Sequence, residues 1–76
     1  MDYIEVTAKF DTTGRILPIS FMWAGRRINI DRVSDARPAA SLKHGGQGIR
    51  YTCRTGSKSY YLFCDEGKWF LDIMDI

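Results

Sequence analysis

The chain predicts a small all-β fold of partly open barrel or sandwich type, and three observations carry that prediction. Apolar and polar residues alternate with a period close to two along most of its 76 residues, which is the pattern of half-buried strands. No segment shows a helical stripe of useful length. Short turn-forming groups, "DTTG", "AG", "TGSK" and "DEGK", separate the alternating stretches. With 45% apolar and 13% aromatic residues the composition suits a packed globule rather than a disordered chain. Residues 1–76 are read as one small β-domain.

In strand one, Ile4, Val6, Ala8 and Phe10 alternate with Glu5, Thr7 and Lys9. Asp11 to Gly14 is a turn by composition. Strand two runs to about Trp23 with Leu17, Ile19, Phe21 and Trp23 on one face, and Pro18 within it implies an edge position or a bulge. Ala24–Gly25 turns the chain into strand three, where Ile28 and Ile30 oppose Arg27, Asn29 and Asp31. The parity then slips at Val33, as a bulge near Asp31–Arg32 would cause. In strand four, Ile49, Tyr51 and Cys53 alternate with Arg50, Thr52 and Arg54. "SYYLFC" forms strand five and "WFLDIM" strand six, with Trp69, Leu71 and Ile73 on one face.

Register supports the assignment, because a slip of one residue would flip every side chain. A loop at Thr12–Thr13 pairs Phe10 with Arg15, Ala8 with Leu17, Val6 with Ile19 and Ile4 with Phe21. Ala24–Gly25 pairs Phe21 with Ile28 and Ile19 with Ile30. Gly56–Ser57 pairs Cys53 with Tyr60, Tyr51 with Leu62 and Ile49 with Cys64. Glu66–Gly67 pairs Cys64 with Trp69, Leu62 with Leu71 and Tyr60 with Ile73. The expected architecture is therefore six antiparallel strands, SH3-like, in two three-stranded meanders. The connector between them, Ser34 to Gln47, has a helical turn starting at Pro38, running through Lys43 and ending at Gly45.

Charge is unevenly spread. Residues 15–58 hold nine Lys/Arg against Asp31 and Asp35, a balance of +7, whereas residues 1–14 carry −2 and residues 59–76 carry −3. A basic middle can serve an anion, or it can compensate acidic neighbours across the sheet. In "WAGRR", Trp23 with Arg26 and Arg27 has the make-up of a base-stacking platform beside phosphate contacts. The parity of Trp23 favours a core position and a plain hairpin turn. On the outward face of the second meander Arg50, Thr52 and Arg54 meet Tyr61, Phe63 and Phe70. Arginines beside exposed aromatics suit a nucleic-acid strand or a protein interface. The same face can instead be a second packing surface, covered by the connector or by another subunit.

Catalytic, metal and cofactor chemistry find no residue pattern here. "KHGGQG" follows a helical turn rather than leading into one, so it reads as a flexible loop and not as a phosphate cradle. His44, the single histidine, is a loop residue with no nucleophile at a suggestive spacing. Cys53 and Cys64 sit about four residues apart along their ladder, about 13 Å, too far for a disulfide. They are expected to remain reduced. No apolar run is long enough to span a membrane and the N-terminus does not resemble a signal peptide, so a soluble, cytoplasmic protein without a membrane partner is expected.

Three stretches, "FDTTGRILPISFMWAGRRINIDRV", "RPAASLKHGGQGIRYTCR" and "YYLFCDEGKWFLD", resemble a family of short bacterial proteins of unknown function, mainly from Firmicutes. The "F-x-W-x-G-R" turn and the closing "WFL" are also similar to a small domain of unknown function encoded beside Y-family lesion-bypass polymerases. The resemblance implies a small β-barrel in a nucleic-acid context, with no catalytic residue to carry over. The expectation is a non-catalytic binding module that contacts single-stranded nucleic acid through Arg26, Arg27, Arg50, Arg54 and Tyr61. The alternative is a protein-interaction or self-association module anchored by Tyr61, Phe63 and Phe70.

Overall fold

A computed structural model describes residues 3–40 and 47–74. Seven strands run in order: β1 (Val6–Phe10), β2 (Ile16–Trp23), β3 (Arg26–Asn29), β4 (Arg32–Ala40), β5 (Gln47–Thr55), β6 (Lys58–Asp65) and β7 (Lys68–Met74). They form two antiparallel sheets, β1-β2-β3 and β4-β5-β6-β7. Among the described residues there is no helix. The extra strand is β4, built from the region expected to be a connector. Arg37 pairs with Arg50, Pro38 with Ile49 and Ala39 with Gly48, so Pro38 lies in a strand rather than opening a helical turn. The strand is an edge, where a residue without an N–H is tolerated. The rest of the expected turn, with Lys43, His44 and Gly45, lies outside the described residues.

The chain changes sheets between Asn29 and Arg32, and the parity slip falls within β4, between Val33 and Asp35. One backbone bond spans each margin: Asp31 N donates to Arg54 O at 2.8 Å, and Ile4 N to Trp69 O at 2.9 Å. The sheets do not close into a barrel. Between β2 and β4 a cleft remains, lined by Ile16, Leu17, Ala36, Pro38, Ile49 and Tyr51.

Three of the four hairpins keep the expected register near their turns. Phe21 pairs with Ile28, Cys53 with Tyr60, Leu62 with Leu71 and Cys64 with Trp69. The first hairpin differs. Phe10 pairs with Ile16 and Lys9 with Leu17, not Phe10 with Arg15 or Ala8 with Leu17. The Asp11 carboxylate is the cause. It accepts bonds from the backbone N–H groups of Thr13 and Arg15, both at 2.9 Å, and from Thr13 Oγ1 at 2.7 Å. The loop thereby becomes three residues, and Gly14 closes it at φ 86°, the left-handed position such loops use. Pro18 coincides with a second irregularity: Ala8 pairs with Pro18 but Thr7 with Ser20, so Ile19 is bulged out and Val6 meets Phe21. A bulge at Asp72 moves Tyr60 opposite Met74 rather than Ile73.

These shifts decide what is buried. The core between the sheets is Phe21, Tyr51, Cys53, Tyr60, Leu62, Trp69 and Leu71, with Ile4, Val6, Ile28 and Val33 packed against it. Phe21 meets Tyr60 edge-on at 5.4 Å, and the Tyr51 hydroxyl crosses to the first sheet to donate to Ile16 O at 2.7 Å. Ala8 and Phe10, expected inside, are exposed because β1 runs past the edge of the core. Ile19 is 42% and Trp23 37% exposed. Trp23 keeps its core-facing parity but stands at the hairpin tip, in an open groove rather than in the core.

Candidate nucleic-acid interface

Period-two alternation in β5 sends Tyr51 and Cys53 into the core and Arg50, Thr52 and Arg54 outward. Cross-strand partners share a face, so the register of β4 decides what joins them. Arg32 lies directly opposite Arg54, Asp35 opposite Thr52 and Arg37 opposite Arg50. On the other side Thr52 faces Tyr61 and Arg54 faces Ser59. The outer surface of β4 and β5 thus gathers Arg32, Arg37, Arg50 and Arg54 around one carboxylate, Asp35, a balance of +3 over these two strands. At the far end of the same face Asp65 and Lys68 oppose each other.

Like charges directly opposite on a sheet are destabilising, and here two arginine pairs are so placed. The side chains find separate supports. Arg37 grips Asp35 with Nε at 2.7 Å and Nη2 at 3.1 Å. This bond holds the Asp35 carboxyl below its ordinary value and raises Arg37. Arg50 lays its guanidinium over the Tyr61 ring, 4.9 Å from the centroid. Arg54 donates to Ser59 Oγ at 2.8 Å. Arg32 is exposed at the edge of the sheet. Among the described residues Arg37 forms the one ion pair shown on β4 and β5, with Asp35, whose charge also acts on Arg50.

Sequence reasoning placed Arg50, Arg54 and Tyr61 correctly on one face and missed Arg32 and Arg37. The missed signal was the alternation of Asp35, Arg37 and Ala39 with Ala36 and Pro38, concealed by the slip at Ser34 and by small apolar residues. Arg26 and Arg27 do not join this face. They follow the β2–β3 turn in the other sheet, where Arg27 Nη1 donates to Ser20 Oγ at 2.9 Å and to Thr7 Oγ1 at 3.3 Å.

Phe63 and Phe70, expected as exposed anchors, are 0% and 2% exposed. Their rings stack at 5.2 Å, and Tyr3 packs against Phe70 at 6.4 Å. Gly48 makes room for them. A Cβ there would collide with the Cys64 carbonyl and lie 2.8 Å from Phe63 Cε1. The two phenylalanines therefore form a packing cluster on the back of the sheet, next to the arginines.

Among the described residues no three His, Cys, Asp or Glu side chains converge as a metal site would require. Cys53 pairs with Tyr60 and Cys64 with Ile49, and both thiols are free. Burial pushes the Cys53 thiol up to about 12 and also raises Cys64, which suits small buried hydrophobes rather than nucleophiles. No helix among the described residues is long and apolar enough to cross a membrane. Compared with known proteins, the chain matches no family model, no curated protein and no solved structure.

Proposed function

We propose that this chain is a non-catalytic binding module that holds single-stranded nucleic acid on the outer face of its four-stranded sheet. The observation that carries the reading is the two pairs of opposed arginines, Arg32 with Arg54 and Arg37 with Arg50, on the outer face of β4 and β5, where these strands carry one carboxylate, Asp35. That arrangement costs folding energy in the free protein, and a row of phosphates would relieve it. Arginine suits the task, since its planar fork binds phosphate oxygens in pairs. A sheet face carrying Tyr61 and the Arg50 guanidinium plane offers surfaces on which unpaired bases stack.

The test is fluorescence anisotropy of a labelled single-stranded oligonucleotide. Three or four phosphate contacts give an affinity that falls about 20- to 50-fold between 50 and 200 mM salt. Replacing both Arg50 and Arg54 with Glu takes the outer side of β4 and β5 from +3 to −1, two charges changing by two units each. It also converts each opposed Arg–Arg pair into an Arg–Glu pair, so the fold is retained while binding is lost. Tyr61→Ala weakens binding by about 1–3 kcal/mol. An oligonucleotide that fails to bind at low salt, or that binds the double variant equally well, overturns the reading.

A further inference from the structure

The β2–β3 turn and the β5–β6 turn meet at one end of the molecule and enclose a groove that the outer-face reading does not use. Trp23 and Arg26 are directly opposed in the β2–β3 hairpin and point the same way. Lys58 lies opposite Thr55 in the β5–β6 hairpin. The groove is lined by these residues together with Ile28 and Tyr60. Two hydrogen bonds between the hairpins hold its shape: Thr55 Oγ1 donates to Asn29 O at 2.9 Å, and Gly56 N donates to Asp31 Oδ2 at 2.7 Å. The second bond engages the one carboxylate in the groove. Arg26 and Lys58 are exposed and make no ion pair among the described residues.

A large aromatic ring left exposed in one groove with two cations, with Ile28 and Tyr60 adding apolar surface among polar neighbours, has the chemistry of a nucleotide site. Apolar contact area serves the base, and the cations serve its phosphate. We infer that this groove takes one nucleotide, its base stacked on Trp23 and its phosphate between Arg26 and Lys58. The inference extends the outer-face reading but does not depend on it, because the two sites occupy different parts of the fold. The nucleotide can belong to a bound strand or be free, and the experiment distinguishes these sources.

Trp23 supplies the readout, since the other tryptophan, Trp69, is buried. Tryptophan emission is followed during titration with a short oligothymidylate and, separately, with thymidine monophosphate. Quenching by the oligonucleotide alone assigns the groove to a strand. Quenching by both, at comparable concentrations of nucleotide, assigns it to free nucleotides. Trp23→Phe should abolish the emission change. Trp23→Ala should weaken binding of the quenching ligand roughly 5- to 150-fold. Arg26→Glu with Lys58→Glu should weaken binding and flatten its salt dependence, a readout that leaves the tryptophan in place. The quench should survive in the Arg50→Glu, Arg54→Glu protein with thymidine monophosphate if the groove binds free nucleotides. Unchanged Trp23 emission with both ligands overturns the inference, even if the oligonucleotide binds the outer face. Loss of binding in the Trp23 and Arg26/Lys58 variants alone would support the groove and remove the outer face.

Discussion

The four-stranded sheet supplies Tyr51, Cys53, Tyr60, Leu62, Trp69 and Leu71 to the core, whereas the three-stranded sheet supplies Phe21. The larger sheet also packs on its other side, where Phe63 and Phe70 are buried beside the arginines. The smaller sheet leaves Phe10 73% and Ile19 42% exposed. One sheet is thus a platform with two working faces, and the other is a cover over one of them. The difference teaches where function can be placed. A face whose backbone is fixed from behind by a core can tolerate opposed like charges, which a loosely packed hairpin could not.

Truncations should show this asymmetry most strongly. Phe63→Ala removes a ring buried on the back of the large sheet and is expected to cost about 3–5 kcal/mol, measured by urea denaturation. Phe10→Ala in the small sheet should stay within about 0.5 kcal/mol of wild type. Equal effects would erase the distinction between platform and cover. Gly48→Ala comes next. It forces a methyl group toward Phe63 and the Cys64 carbonyl, with an expected loss of about 1–3 kcal/mol. If it is neutral, the packing of Phe63 over Gly48 is wrong.

A smaller effect has the opposite sign. Arg32→Thr removes one member of an opposed arginine pair and should raise stability by about 0.2–1 kcal/mol at low salt. The gain should shrink as salt screens the charges, while oligonucleotide affinity falls. A variant that loses stability along with affinity would mean that Arg32 holds the fold rather than a ligand.

The weakest expected effect concerns the turn that sets the small sheet's register. Bonds from Thr13 and Arg15 hold the Asp11 carboxyl well below its ordinary value. A carboxyl lowered in the folded state contributes stability above its unfolded value and loses it as pH falls. The difference in denaturation midpoint between wild type and Asp11→Ala should be full at neutral pH, begin to shrink as pH falls through about 4, and disappear only at much lower pH, where the folded-state carboxyl itself takes up a proton. A difference independent of pH would remove the carboxylate from the account of the turn.

The same contrast explains what could be read from the chain. In β5 and β6 large residues alternate strictly, as in Tyr51, Cys53, Tyr60 and Leu62, and the turn at Gly56–Ser57 fixes their pairing; both the strands and the face of Arg50, Arg54 and Tyr61 were legible. In the small sheet the outcome hung on local chemistry that alternation does not report. The Asp11 carboxylate lengthened a turn and Pro18 marked a bulge, and together they moved β1 relative to β2. β4 was invisible because Ala36, Pro38 and Ala39 are weak strand formers that pair only because β5 offers an edge. Phe63 and Phe70 sat on the expected face, but period two cannot say whether a face is covered. Trp23 shows the converse, a residue of core-facing parity at a hairpin tip, left exposed in an open groove against the opposing sheet.

The most direct measurement follows the arginine side chains themselves. In isotope-labelled protein at low salt, the Nε–H resonances of Arg32, Arg37, Arg50 and Arg54 should shift together on titration with a single-stranded oligonucleotide. Arg15, held by Asp11 at 3.1 Å, should stay in place. Saturation with the oligonucleotide while those four resonances remain unmoved would contradict the account.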